Sequence, residues 1–241
     1  ERRIEMITIV LPTYNGIQYI KSSVASILSQ TYTNIELIIV DDCSTDGTSD
    51  IVDELAQNDE RIQVIHNETN KKLPCSLNIG FENARGDYFT WTSDDNLYKR
   101  NALEVMLTCL KKNPKTDIVY AMYETIDCEG KLVIENANWE KISAIQNWVG
   151  ACFLYKRKVH EKLQGYDENL FLVEDFDFWL RATRYFNFKK ISQNLYQYRI
   201  HANSLTNKRS SEIIAKTIKL LQREIEQGYV QPQNIAQYYK H

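Results

Sequence analysis

Short apolar, β-branched runs alternate along the chain with segments whose apolar residues recur every three or four positions. Met6–Leu11 (MITIVL) is the first such run, and it stops at Pro12. It predicts a strand buried on both faces. Ile17, Ile20, Val24, Ile27 and Leu28 then mark one face of a helix. Ile35–Val40 (IELIIV) predicts a second strand, ending at Asp41-Asp42. In the following STDGTSDIVDELA, the early Ser, Thr and Asp suit a helix N-terminus, and Ile51, Val52 and Leu55 supply its buried face. Ile62–Ile65 predicts a third strand, and Leu73, Leu77, Phe81 and Ala84 recur at helical spacing. Asp87–Thr92 (DYFTWT) predicts a fourth strand, ending at Asp94-Asp95. A helix is expected from about Ala102 to Lys111 and a fifth strand over Asp117–Tyr123.

This β-α-β-α order predicts an α/β fold: a Rossmann-like, mostly parallel sheet flanked by helices on both faces. Ligands of such sheets bind beyond the carboxyl ends of the strands. The chain places Thr13 and Tyr14 there, then Asp41 and Asp42, then Asp94 and Asp95. After residue 130 the pattern loosens. GKLVI reads as an edge strand, and the segment from Trp148 to Tyr185 holds a short apolar strand and two helical stretches. LYQYRIHANSLT alternates, and a helical segment runs from Lys208 to about Gln227. Pro232 and the aromatic AQYYKH suggest a further short helix. The expected division is one domain over residues 1–206 and a C-terminal helical extension over 207–241.

Composition narrows the function. With 29 Lys and Arg against 32 Asp and Glu, the net charge of −3 argues against a general nucleic-acid binder. The five cysteines are widely spaced and form no CxxC pair, and with four isolated histidines they supply no zinc site. No run approaches the length of a bilayer span and no signal-peptide pattern opens the chain. The expectation is a cytoplasmic protein with reduced thiols, with peripheral association at the inner face of the membrane left open. Neither GxGxxG nor GxxxxGK[ST] occurs, which counts against a dinucleotide dehydrogenase or a P-loop NTPase.

Five segments, ITIVLPTYNG, IELIIVDDCSTDGT, ARGDYFTWTSDDN, EDFDFWLRA and YRIHANSLT, occur in one order and at one set of spacings. Together they resemble the family-2 inverting glycosyltransferases, whose nucleotide-sugar fold is the A type (GT-A). The resemblance runs from about Ile7 to Thr206. It implies a nucleotide-diphosphate sugar as donor, UDP-linked for preference, and a saccharide or lipid-linked acceptor. It also implies a Mn²⁺ or Mg²⁺ cofactor. A hard cation needs only one or two protein carboxylates when phosphate oxygens and water complete its shell.

The resemblance also implies roles. Asp94 would hold the ribose and Asp95 the metal, with His201 helping the metal or diphosphate. Pro12, Thr13, Tyr14 and Asp42 would read the base, Asp42 accepting from a uracil N–H and Tyr14 packing on the ring. Lys72 stands where relatives place a basic residue, here without an arginine's bidentate fork. Asp175 of the Glu174-Asp175 pair would be the catalytic base, ionised at neutral pH. Trp148, Gly150 and Ala151, with Glu174 and Arg199, would border the donor-sugar and acceptor pocket. Several of these residues have simpler readings: Asp42 as a helix cap, Lys72 as a solvated cation, Glu174-Asp175 as an acidic first turn, His201 and Trp148 as structural. The chain departs from the family in lacking a proline soon after the metal motif, where Lys99 falls, and in reading Gly150-Ala151 for a double glycine. Two other functions stay open: a nucleotidyltransferase of similar sheet, and a catalytically silent binding module.

Overall fold

The computed structural model describes residues 4–134 and 148–230. The first half is the expected alternation: β1 Ile7–Thr13, α1 Ile20–Leu28, β2 Ile35–Asp41, α2 Thr48–Asn58, β3 Ile62–His66, α3 Leu73–Glu82 and β4 Tyr88–Trp91. A two-residue strand, β5 Leu97–Tyr98, precedes α4 Ala102–Lys112, β6 Ile118–Ile126 and β7 Leu132–Ile134. Then come β8 Phe153–Lys156, α5 Arg157–Leu163, α6 Glu174–Ala182, β9 Phe188–Arg199, α7 Leu205–Lys208 and α8 Ser210–Glu226.

The strands form one sheet in the order β3-β2-β1-β4-β8-β6-β9-β5, with β7 added on β6. β1 to β4 run parallel, and β6 and β9 share their direction across the antiparallel β8; β5 and β7 are also antiparallel to their neighbours. Alternate residues explain the continuous apolar runs. Ile7, Ile9 and Leu11 of β1 join the core beneath α1, α2 and α4, whereas Val10 faces α3, α5 and α6. Gly80 lets α3 approach β1, since a Cβ there would lie 2.4 Å from Val10 Cγ1.

β1 does not stop at Pro12 as expected. Pro12 pairs in register with Val40, and Thr13 with Asp41. Val10 and Pro12 turn their backbone groups toward β4, but the β1–β4 ladder ends at Val10–Trp91. The missing proline N–H therefore falls where no strand needs it. β6 and β9 are longer than predicted and pair over nine registered positions, with irregularities between Ala121 and Tyr123. The alternation expected through Thr206 ends at Arg199, so His201 lies on the loop after β9.

α8 packs Leu220 and Leu221 against Val173, Phe176 and Leu180 of the α6 region. Two ion pairs fasten it: Arg223 to Asp177 at 2.6 Å, and Arg184 to Glu224. The short helix suggested after Pro232 lies outside the described residues. Among the described residues no helix is long and apolar enough to cross a membrane.

Candidate active site

The parallel register aligns the ends of β1, β2 and β4 at one edge, and the acids gather there. At the β2 end, Asp42 is buried and saturated with donors: Asn67 Nδ2 at 2.9 Å, Lys71 N at 2.7 Å and Lys72 N at 2.9 Å. Lys72 has φ of 74°, a conformation costly for a lysine, and the Asp42 carboxylate holds it there. The Asp42 N–H donates to the Thr13 carbonyl at 2.8 Å, so Pro12, Thr13, Asp42 and Lys72 form one corner, with Tyr14 beside it, half exposed. Asp41 faces a separate group. Burial works to raise its pKa, but hydrogen bonds from Ser44, Ser49 and His66 outweigh burial and hold it below the usual range.

Thr13 then links this corner to the acid pair, its hydroxyl donating to Asp94 Oδ2 at 2.5 Å. The Asp94 carboxyl is pushed up to about 7, by burial first and by the adjacent Asp95 charge second, against the Thr13 hydrogen bond. Gly16 makes this approach possible: a Cβ there would sit 2.1 Å from Asp94 Oδ2. Sequence reasoning passed over Gly16, although TYNG after a strand is a turn signal that could have flagged it.

Asp95 Oδ2 lies 2.9 Å from His201 Nε2. Its Oδ1 is buried with no hydrogen-bond partner. A buried carboxylate oxygen left bare is costly unless something else satisfies it. Among the described residues no group of three or more His, Cys, Asp or Glu could hold a metal by itself. Asp95 and His201 nonetheless fit a hard cation that takes the rest of its oxygens from a bound diphosphate.

The loop carrying these acids is braced from β9. Arg199 is buried; its N–H donates to Asn96 Oδ1 at 2.8 Å, its Nε to the Asp95 carbonyl at 2.9 Å and its Nη1 to the Asp127 carbonyl at 2.9 Å. The guanidinium also lies 4.4 Å above the Tyr19 ring, whose edge packs on His201. Arg199 thus sets the Asp95 loop through backbone carbonyls.

The opposite wall is built by α6. Glu174 is buried, and its carboxyl is pushed up to about 8 by burial and then by the Asp175 charge. Glu174 Oε2 has no hydrogen-bond partner. Asp175 is half-buried and accepts from the Phe176 N–H at 2.7 Å. Asp177, the other acid of the turn, is committed to Arg181 at 2.7 Å and Arg223 at 2.6 Å. Two tyrosines connect the walls. Tyr198 feels the charges of both Asp95 and Asp175, after the larger effect of its own burial. Its ring lies 5.7 Å from Tyr123, which also feels Asp175. Gly150, at φ of 68°, abuts Tyr123, where a Cβ would come within 2.9 Å of Cε1; Ala151 follows it. Trp148 is half-buried between Phe176 and Phe188, at 5.8 and 6.3 Å. Tyr123 and Tyr198 escaped the sequence reading because aromatic residues in strands look like core; Tyr19 escaped it as a turn residue before α1.

A curled, mostly parallel sheet with acids at its carboxyl edge is the architecture of A-type glycosyltransferases. S. aureus TarS 1–349 in complex with UDP shares this fold (TM-score 0.67, 18% identity, 97% of this chain and 78% of that one). So does the mannosyltransferase PcManGT of Pyrobaculum calidifontis in complex with GDP-Man and Mn²⁺ (TM-score 0.73, 17% identity, 92% and 65%). The model of the family described as "Glycosyl transferase family 2" matches residues 8–164, and the chain belongs to that family. An uncharacterized glycosyltransferase of Rickettsia bellii is 32% identical over 191 residues, 74% of this chain and 27% of that one. The chain spans 27% to 66% of the length of the first curated relatives it matches. Membership of that family counts against the nucleotidyltransferase reading.

Proposed function

We propose that the chain moves a sugar from a nucleotide-diphosphate donor, UDP-linked for preference, to a hydroxyl of a saccharide or glycolipid acceptor, with inversion. This extends a surface polysaccharide or glycolipid. In this reading the corner of Pro12, Thr13, Tyr14, Asp42 and Lys72 takes the base, and Asp94 takes the ribose. Asp95 and His201 hold Mn²⁺ or Mg²⁺, which supplies neutralising charge for the departing diphosphate. The observation that carries the reading is the bare, buried Oδ1 of Asp95, beside a histidine and one tyrosine away from Asp175.

Asp175 removes the proton from the acceptor hydroxyl as the oxygen forms its bond to the anomeric carbon, while the diphosphate leaves from the other face. Glu174, neutral below about 8, borders the sugar as a hydrogen-bond donor; an ionised neighbour would compete with Asp175 for the proton. Trp148, Gly150 and Ala151 shape the pocket. Arg199 serves that pocket indirectly, by fixing the Asp95 loop.

Calorimetric titration with UDP, with and without Mn²⁺, tests the nucleotide and metal readings together. Tight binding that needs Mn²⁺, and that Asp95→Asn abolishes, is the expected result. Equal binding with and without the ion would overturn the metal assignment. Asp175→Asn is expected to keep UDP binding and lose roughly 10²- to 10⁴-fold in transfer; full turnover by that variant would remove Asp175 from the chemistry.

A further inference from the structure

The opposite edge of the sheet carries a second feature. Three segments meet there: residues 111–117 after α4, 156–162 at the β8–α5 junction, and 184–190 between α6 and β9. They hold ten lysines and arginines against two carboxylates, in a chain whose net charge is −3. They are tied together around Asp117. Lys156 Nζ and Lys158 Nζ lie 3.2 and 2.7 Å from Asp117 Oδ1. The Asp117 N–H donates to the Asn187 carbonyl at 2.9 Å, and Asn187 Nδ2 donates to the Lys115 carbonyl at 3.0 Å. Lys189 Nζ donates to Asn113 Oδ1 at 2.7 Å.

These cations divide into two sets. Arg157 pairs with Glu161, Arg184 with Glu224 and Lys111 with Glu5. Lys112, Lys115, Lys162, Lys189 and Lys190 are exposed and pair with no carboxylate among the described residues. Tyr185 is 58% exposed among them, with Lys162 Nζ 4.9 Å from its ring centre, and Lys158 covers Phe186 at 5.9 Å. Glu5, and Asp87 beyond it, bound the patch on the side of β1.

We propose that this edge docks the enzyme onto a bilayer surface rich in anionic phospholipid headgroups. Four to eight cations on one face are what such a surface attracts, and a tyrosine is at home at headgroup level. The free cations are all lysines, point charges suited to a diffuse field. The two arginines that could fork onto individual phosphates, as nucleic-acid recognition favours, are already paired. Docked by this edge, the protein turns its catalytic cleft away from the lipid, open to donor arriving from water and to the free end of a saccharide chain, which favours the saccharide acceptor over a short glycolipid. The inference is independent of the assignments made for Asp95 and Asp175, because binding is read without turnover.

Co-sedimentation of the chain with phosphatidylglycerol–phosphatidylcholine vesicles, against pure phosphatidylcholine, tests it. The wild-type chain is expected to sediment with the anionic vesicles only, and to be released in about 1 M salt, where the Debye length falls to about 3 Å. A triple Lys115→Glu, Lys162→Glu, Lys190→Glu variant should lose roughly tenfold or more in vesicle affinity. A triple Lys21→Glu, Lys131→Glu, Lys219→Glu variant changes the net charge equally from other parts of the chain and should lose far less. Thermal melts of both variants establish that each is folded. Equal loss in the two variants would overturn the proposal, as would wild-type binding to both vesicle types alike. Binding of heparin or duplex DNA with no binding to anionic vesicles would also overturn it and reassign the patch to a soluble polyanion.

Discussion

At the carboxyl edge of the sheet, burial and mutual repulsion push Asp94 up to about 7 and Glu174 up to about 8. At the amino edge Asp117 is as closed in by its neighbours, and burial again acts to raise it, but Lys158, Asn187 and Lys156 together hold it below the usual carboxylate range. One sheet therefore treats its acids in two ways. The amino edge surrounds Asp117 with cations and gains stability from it. The carboxyl edge leaves acids side by side with few cations, and leaves Asp95 Oδ1 and Glu174 Oε2 bare. Unsatisfied groups of this kind persist where a ligand is meant to complete them.

The largest expected effect sets the two edges against each other in pH. Glu174 has a raised folded-state pKa, so its stabilising contribution is complete below the ordinary value of 4.5 and is lost as pH rises through about 8. That term reaches roughly 3 kcal/mol between pH 5 and 8. Glu174→Gln removes it, so melting temperatures of variant and wild type should diverge in the variant's favour as pH rises. Asp117 has a lowered value, so its contribution is present above 3.8 and is lost as pH falls. Asp117→Asn should cost stability at neutrality, with the gap to wild type closing in acid. Parallel pH profiles for the two variants would erase the contrast between the edges.

That contrast was half legible in the sequence. Asp42, Asp94 and Asp95 follow directly from where strands end, because strand order alone delivers those positions to one edge, whereas Asp175 was reached only through the family resemblance. The cation cluster was not legible. Its members come from three segments more than twenty residues apart, and each alone reads as an ordinary solvated turn. The same holds for Arg199. YRIH reads as a functional stretch, but only the pairing of β9 with β5 and β6 puts the guanidinium under the Asp95 loop. The start of β9 hid for a further reason. FKKISQN is too polar to suggest a strand, and it pairs beside two register irregularities.

A second prediction is confined to the catalytic edge. Gly16 has room only for a hydrogen where Asp94 Oδ2 lies, so Gly16→Ala must displace either the loop after β1 or the carboxylate. Small misplacements of a binding group cost up to about a hundredfold in rate. Gly16→Ala is therefore expected to lower kcat/KM by roughly ten- to a hundredfold, with a melting temperature near that of wild type. Unchanged kinetics would show that the contact between this loop and Asp94 does not matter to the donor.

The smallest effect belongs to the amino edge. Lys162 sits over the Tyr185 ring at 4.9 Å, but both side chains are exposed, so the pair contributes only about 0.5–1 kcal/mol in water. Lys162→Ala should therefore barely move the melting temperature. If the edge exists to meet a charged surface, the same substitution should still weaken vesicle binding several-fold, because each lysine near the lipid counts separately in the attraction. Stability and association would then part company at a single residue. At Glu174 a stability change comes with the catalytic cleft; at Lys162 an association change comes almost without one. A Lys162→Ala protein that melts several degrees lower, with vesicle affinity unchanged, would make the amino edge a structural brace and its charge incidental.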